Sequence, residues 1–117
     1  DDACKAACNV CSDYWNREHT WPKSRMGDPT SGPDYSDLHM LRASDSNVNS
    51  ARNNLYYDNC DPDGCRDSPA HIEADPSTGK DSDSFLPPAN VRGDLARAMF
   101  YMAVRYDGSE SGTADLV

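Results

Sequence analysis

Four stretches of the chain carry a pattern of apolar and polar positions, and the rest is polar and loop-like. "YWNREHTWP" (residues 14–22) sets aromatic residues around a polar run, which predicts a short strand ended by a loop that Pro22 starts. Residues 25–36 are loop by composition. "DLHMLRAS" (residues 37–44) alternates, with Leu38, Met40 and Arg42 on one side and His39, Leu41 and Ala43 on the other. That period predicts a second, half-buried strand. Ser44 or Asp45 can cap a helix running to about Asn54. Its asparagines are poor helix formers, so tertiary contacts or function must hold it. Val91, Leu95, Met99, Met102, Ala103 and Tyr106 recur at helical spacing behind a candidate cap, Asn90. Asp94 near its start and Arg105 near its end suit the helix dipole, and Gly93 belongs in its first turn. The order strand, strand, polar helix, long loop, core helix predicts one α+β domain.

Composition narrows this reading. The chain has 117 residues, 37% of them hydrophobic, and a mean hydropathy of −0.84. One core is all that this length supports. No apolar run approaches the roughly 18 residues of a membrane span, so no membrane partner is expected. The opening "DDAC" has neither an initiator Met nor an apolar leader, which reads as a mature form or an excised fragment.

Cysteine usage points to an oxidising, secreted or periplasmic setting. Cys60 and Cys65 bracket the turn sequence "DPDG" and are close enough for a disulfide. Cys4, Cys8 and Cys11 are the other disulfide candidates. With five cysteines one is left over, to stay free, pair between chains or partner a residue outside this sequence. A zinc site from Cys4, Cys8, Cys11 and His19 has no accepted ligand spacing. "DNCDPDGCRD" suggests a calcium loop, but counting Asn59 as the first ligand puts Ala70 where an EF-hand needs glutamate. A solvated acidic turn closed by a disulfide is the better reading.

The net charge of −9 argues by itself against a nucleic-acid partner. The charge is uneven, however. Residues 58–83 hold eight acids against Arg66 and Lys80, so the remainder carries only −3. That acidic segment is too long for a mere connection. His71 within it is expected to be solvent-exposed. Trp15 and Trp21 are expected to be core or cleft walls.

The strand–strand–helix order can bring Glu18, His19 and Asn49 into one cleft. An imidazole can take a proton from water near neutral pH. Carboxylate and amide oxygens are hard donors suited to Mg²⁺, with Ca²⁺ and Mn²⁺ as alternatives. A base and a divalent metal together suffice to hydrolyse a phosphodiester.

At these residues the chain resembles a known family. "NREHTWPKS", "DLHML", "NVNSARNN" and "RGDLARAMFYMAVRY" occur in the order found in the endonuclease I family of secreted bacterial nucleases. That family has the ββα-metal, or His-Me finger, core. The resemblance covers residues 14–57 and 87–107. It also accounts for "RGD" at 92–94, which is not read as an adhesion signal. It implies that His19 is the general base, that Glu18 and Asn49 hold one divalent metal, and that His39, in the second strand, and Arg17 support the site. It implies a phosphate-contacting arginine, for which Arg42 and Arg97 are the leading candidates and Arg25 a third. The substrate implied is DNA, and RNA as well, cut with little sequence preference by a monomer. The expected layout is a Cys-rich segment over 1–13, the ββα-metal core over 14–57, an acidic loop over 58–86 and the core helix over 87–107. Two other classes stay open: a non-catalytic binding module on the same fold, and a cysteine-stapled structural domain.

Overall fold

The computed structural model describes residues 15–61 and 63–116. The expected segment 1–13, with Cys4, Cys8 and Cys11, lies outside the described residues. The elements are strand β1 (Trp15–His19), a 3-10 turn (Lys23–Met26), β2 (Leu41–Asp45), helix α1 (Ser46–Arg52), β3 (Tyr56–Tyr57), β4 (Gly79–Lys80), β5 (Ser84–Leu86), a second 3-10 turn (Ala89–Val91) and helix α2 (Arg92–Arg105). The fold is α+β, with β1 paired to β2 and a second sheet ordered β3-β5-β4. The chain divides into two compact units, residues 1–18 with 43–89, and residues 19–42 with 90–117.

In the first unit, α1 starts where the sequence puts it. Asp45 caps it by accepting from the backbone N–H of Asn47 and Val48 at 2.9 and 3.0 Å. These bonds satisfy two of the donors a helix start leaves open. The helix stops at Arg52, before the expected Asn54, because Asn53 takes a positive φ of 53°. Asn47 Nδ2 donates to Glu73 Oε2 at 2.7 Å, tying α1 to the acidic segment.

That segment is more than the expected loop. β5 pairs in parallel with β3, through Tyr56–Ser84 and Tyr57–Phe85, and antiparallel with β4, through Gly79–Leu86 and Lys80–Phe85. The Cys60–Cys65 disulfide forms as expected. Gly79 is required beside it, since a Cβ there would run into Cys65. The aspartates fasten turns. Asp75 accepts from Ser77 N, and Asp81 from Asp83 N and Ser84 N. His71, expected to be solvent-exposed, is half-buried, and its Nδ1 accepts from Glu73 N.

The second unit holds the methionine-rich core. Met26, Met40, Met102, Tyr106 and Leu116 are buried together, with Trp21 and Tyr101 against them. Trp21 is thus the expected core wall. Trp15, in the first unit, is instead 70% exposed. α2 buries Leu95 and Met102 of the predicted stripe, with Tyr106 just after it, but adds Ala98 and leaves Val91, Met99 and Ala103 half-buried. Its first turn differs from expectation. Residues Ala89–Val91 form a 3-10 turn, so Val91 rather than Asn90 precedes the helix, without a side-chain cap.

The second strand also starts later than its alternation predicts. Residues 37–40 form a turn, and β2 begins at Leu41. The Asp37 carboxylate is the reason. It accepts from His39 N and His39 Nδ1 at 2.8 and 3.0 Å, and from Tyr101 OH and Tyr106 OH at 2.9 and 2.7 Å. Four donors on one carboxylate outcompete the ladder expected over residues 37–40. His39 therefore lies in the turn and not in the strand.

Burial pushes the Asp37 carboxyl up, but the bonds from Tyr106, His39 and Tyr101 together outweigh it and hold the group below its ordinary 3.8. A lowered native pKa gives stability that is complete above 3.8 and is lost as pH falls through the lowered value. Asp37→Asn is expected to cost about 2 kcal/mol at pH 7 in urea denaturation, the scale of a bond to a charged group. The difference from wild type should shrink below about pH 4, where the wild-type carboxyl protonates. Equal stability of the two proteins at pH 7 would contradict this role for Asp37.

Candidate active site

β1 and α1 build the metal-ligand candidates from the first unit. Residues i and i+2 of a strand share a face, as do i and i+3 of a helix. Asn16 and Glu18 form one such pair, and Asn49 and Arg52 the other. The two faces meet through polar contacts. Asn49 Nδ2 donates to Asn16 Oδ1 at 2.6 Å and, more weakly, to the carbonyl of Arg17 at 3.5 Å. Arg52 Nη1 donates to Glu18 Oε1 at 2.6 Å. Tyr57 OH donates to the same oxygen at 3.3 Å, and its ring lies under the Arg52 guanidinium at 4.4 Å.

Glu18 and Arg52 are both buried, at 7% and 3% exposure. Burial pushes the Glu18 carboxyl above its ordinary 4.5, and this outweighs the pull of the Arg52 charge and of the bonds from Tyr57 and Arg52. A cation in contact is what lets a buried carboxylate ionise at all. The partner is Arg52, not the sequence neighbour Arg17, which is exposed.

The two metal-ligand candidates offer suitable donors. The contacts of Asn49 run through its Nδ2, which leaves Oδ1 as its coordinating atom. Glu18 spends Oε1 on Arg52 and Tyr57 and keeps Oε2. One carboxylate and one amide oxygen are hard donors that leave most positions of an octahedral ion to water, as Mg²⁺ prefers. Among the described residues no group of three or more His, Cys, Asp and Glu could hold a metal.

His19 opens the second unit. Its Nε2 lies 3.0 Å from the backbone carbonyl of Tyr35, and its ring stacks on the Tyr35 ring with centroids 4.9 Å apart. A carbonyl only accepts, so Nε2 carries the proton and Nδ1 is the basic nitrogen. Thr20, the next residue, is anchored by its hydroxyl to the carbonyl of Met40 at 2.7 Å. The base candidate thus has a fixed tautomer and a fixed ring plane.

The remaining candidates separate. His39, Arg42 and Arg97 line one pocket of the second unit. Arg25 is exposed at the end of the first 3-10 turn. Sequence reasoning passed over Arg52, Tyr57, Asp37 and Tyr35. Arg52 left a signal, as the one cation one helical turn from Asn49. The Tyr35 carbonyl left none, because it is a backbone group.

With this geometry in hand, comparison with known proteins decides the family. The endonuclease I model matches residues 1–115. The chain belongs to the endonuclease I family. Over 102 residues it is 45% identical to the extracellular ribonuclease of Bacillus subtilis and 44% identical to that of Bacillus amyloliquefaciens. Each alignment covers 87% of this chain and 32% of the relative, so the chain spans about a third of the length of these curated relatives. No solved structure matches the chain. The ββα-metal order expected from the motifs is that of the family, carried here by β1, β2 and α1.

Removing one partner of a buried ion pair strands the other charge. Arg52→Met is therefore expected to cost about 3–5 kcal/mol in urea denaturation. The double variant Glu18→Met/Arg52→Met should recover most of that loss, because no charge stays buried. A double variant less stable than Arg52→Met would contradict this account of the pair.

Proposed function

We propose that this chain is a metal-dependent endonuclease that hydrolyses phosphodiester bonds in RNA and DNA with little sequence preference. The observation that carries the reading is the fixed His19 tautomer, in a family of nucleases and directly after the buried, ionisable Glu18. In this reading His19 Nδ1 takes the proton of a water molecule. The Tyr35 carbonyl accepts from Nε2–H and favours the imidazolium that forms. The freed hydroxide attacks phosphorus in line with the 3′ oxygen, the bond from phosphorus to that oxygen breaks, and the leaving oxygen takes a proton from solvent water. Glu18 Oε2 and Asn49 Oδ1 are the atoms that would hold one divalent ion, with Mg²⁺ the best match to their donor set. When bound, that ion supplies charge stabilisation at the phosphate and at the leaving oxygen. Arg52 keeps Glu18 ionised and in place. The products are 5′-phosphate and 3′-hydroxyl ends, following the family resemblance.

RNA comes first because the relatives are named extracellular ribonucleases. The same names, the disulfide and the cysteine content support secretion. No helix among the described residues is long and apolar enough to cross a membrane.

Plasmid nicking and single-stranded RNA cleavage, each with Mg²⁺ and with EDTA, test the reading. Wild type is expected to cut only with metal. His19→Ala should lose about a hundred- to ten-thousandfold in rate, the scale of general-base catalysis. Normal turnover by a folded His19→Ala protein, or undiminished cleavage in EDTA, would overturn it.

A further inference from the structure

The turn at residues 37–40 and helix α2, both in the second unit, enclose a pocket of about 350 Å³. Leu38, His39, Arg42, Asp94, Arg97 and Tyr101 line it. Two guanidiniums and an imidazole face one carboxylate there, on a chain with a net charge of −9. The lining alone carries one net positive charge, with the Asp37 carboxylate behind His39 and Tyr101.

The cationic groups are oriented. Arg42 Nη1 donates to the carbonyl of Leu41 at 2.9 Å, and its Nη2 and Nε have no acceptor among the described residues. Arg97 is steered by Asp94, one turn earlier on its own helix. Asp37 engages His39 Nδ1, which leaves Nε2 as the open nitrogen of that ring. The His39 ring lies against Tyr101, with centroids 4.4 Å apart and planes 31° apart. Beside these groups Leu38 is 81% exposed, an apolar wall next to an anion-binding one.

The volume exceeds what one phosphate group needs and falls in the range of small-ligand sites. A ligand that fits has an anionic end for the guanidiniums and a flat apolar end for Leu38 and the His39–Tyr101 pair. We propose that this pocket is a subsite for one nucleotide unit of a single-stranded nucleic acid. Its backbone phosphate sits on Arg42 and Arg97, and its base sits against Leu38 and the tilted His39–Tyr101 pair. Planar guanidiniums match phosphate oxygens in pairs, and aromatic faces accept any base. The subsite deepens the nuclease reading and rests on it. It gives Arg42 and Arg97 a substrate-binding role in place of a contact with the reacting phosphate.

Binding without turnover separates the two. The probe is a fluorescein-labelled 12-nucleotide single-stranded RNA, and the protein is the His19→Ala chain in Ca²⁺, read by fluorescence anisotropy. In that background Arg42→Gln and Arg97→Gln should each raise the dissociation constant about tenfold. Each should also lower the slope of log affinity against log salt by about 0.7. Arg105→Gln removes the same charge from an arginine paired with Glu110 and serves as the control. Leu38→Ser should weaken binding severalfold with the salt slope unchanged. Circular dichroism confirms that each variant is folded. Pocket variants that bind no worse than the Arg105→Gln control overturn the subsite, and cleavage by wild type would then leave the nuclease reading standing. Weakened binding in the pocket variants, with no cleavage by any preparation, upholds the subsite and removes the nuclease reading instead. A Leu38→Ser protein that binds like its parent overturns the nucleotide assignment and leaves a phosphate contact only.

Discussion

The contact between Glu18 and Arg52 is the constraint on which the candidate site depends. A carboxylate and a guanidinium at 2.6 Å, both almost fully buried, are costly to desolvate. Hydrophobic residues would hold β1 against α1 at lower cost. What the pair contributes is position and charge. It places a carboxylate on the face of β1 that meets Asn49, and the Arg52 charge opposes the rise that burial imposes on that carboxyl. The Tyr57 hydroxyl and ring complete the enclosure of Arg52. β1 and α1 are short, and α1 is rich in asparagine, so neither element is stable by propensity. The polar contacts between them hold the local geometry.

The same economy runs through the acidic residues. Many of the acids behind the charge of −9 are hydrogen-bond acceptors within the fold. Asp45 caps α1, Asp75 and Asp81 fasten turns, and Asp107 accepts from Ser109 N. Asp37 gathers two tyrosines and His39 into one cluster. Several of these carboxyls sit below their ordinary pKa because donors converge on them. They are structural acceptors first and surface charge second. Arg42 and Arg97, by contrast, line a pocket with one other charged group, Asp94, and the His39 imidazole.

The sequence made the element order legible, and with it the family. Asp45 as a cap, the disulfide between Cys60 and Cys65, and most of the buried stripe of α2 could all be read from residue type and spacing. The start of β2 could not. Alternation from Leu38 to Arg42 reads as strand, and only the arrival of Tyr101 and Tyr106, more than sixty residues away, makes Asp37 the centre of a turn. The small sheet around β5 was hidden for a related reason, since two-residue strands have no period. At the site, the motifs marked Glu18, His19 and Asn49 but not what sets them. Arg52 was visible as a residue but not as the partner of Glu18, because that pairing spans 34 positions. The Tyr35 carbonyl that fixes the His19 tautomer is backbone and leaves no mark in the sequence at all.

The central claim is that Glu18 and Asn49 are held ready to share one divalent ion. A crystal grown or soaked with Mn²⁺ and measured at the manganese absorption edge tests it most directly. The account predicts one anomalous peak in contact with Glu18 Oε2 and Asn49 Oδ1, with Glu18 Oε1 still bonded to Arg52. A peak among the acids of residues 58–83 instead, or no peak at Glu18 in saturating Mn²⁺, would contradict it.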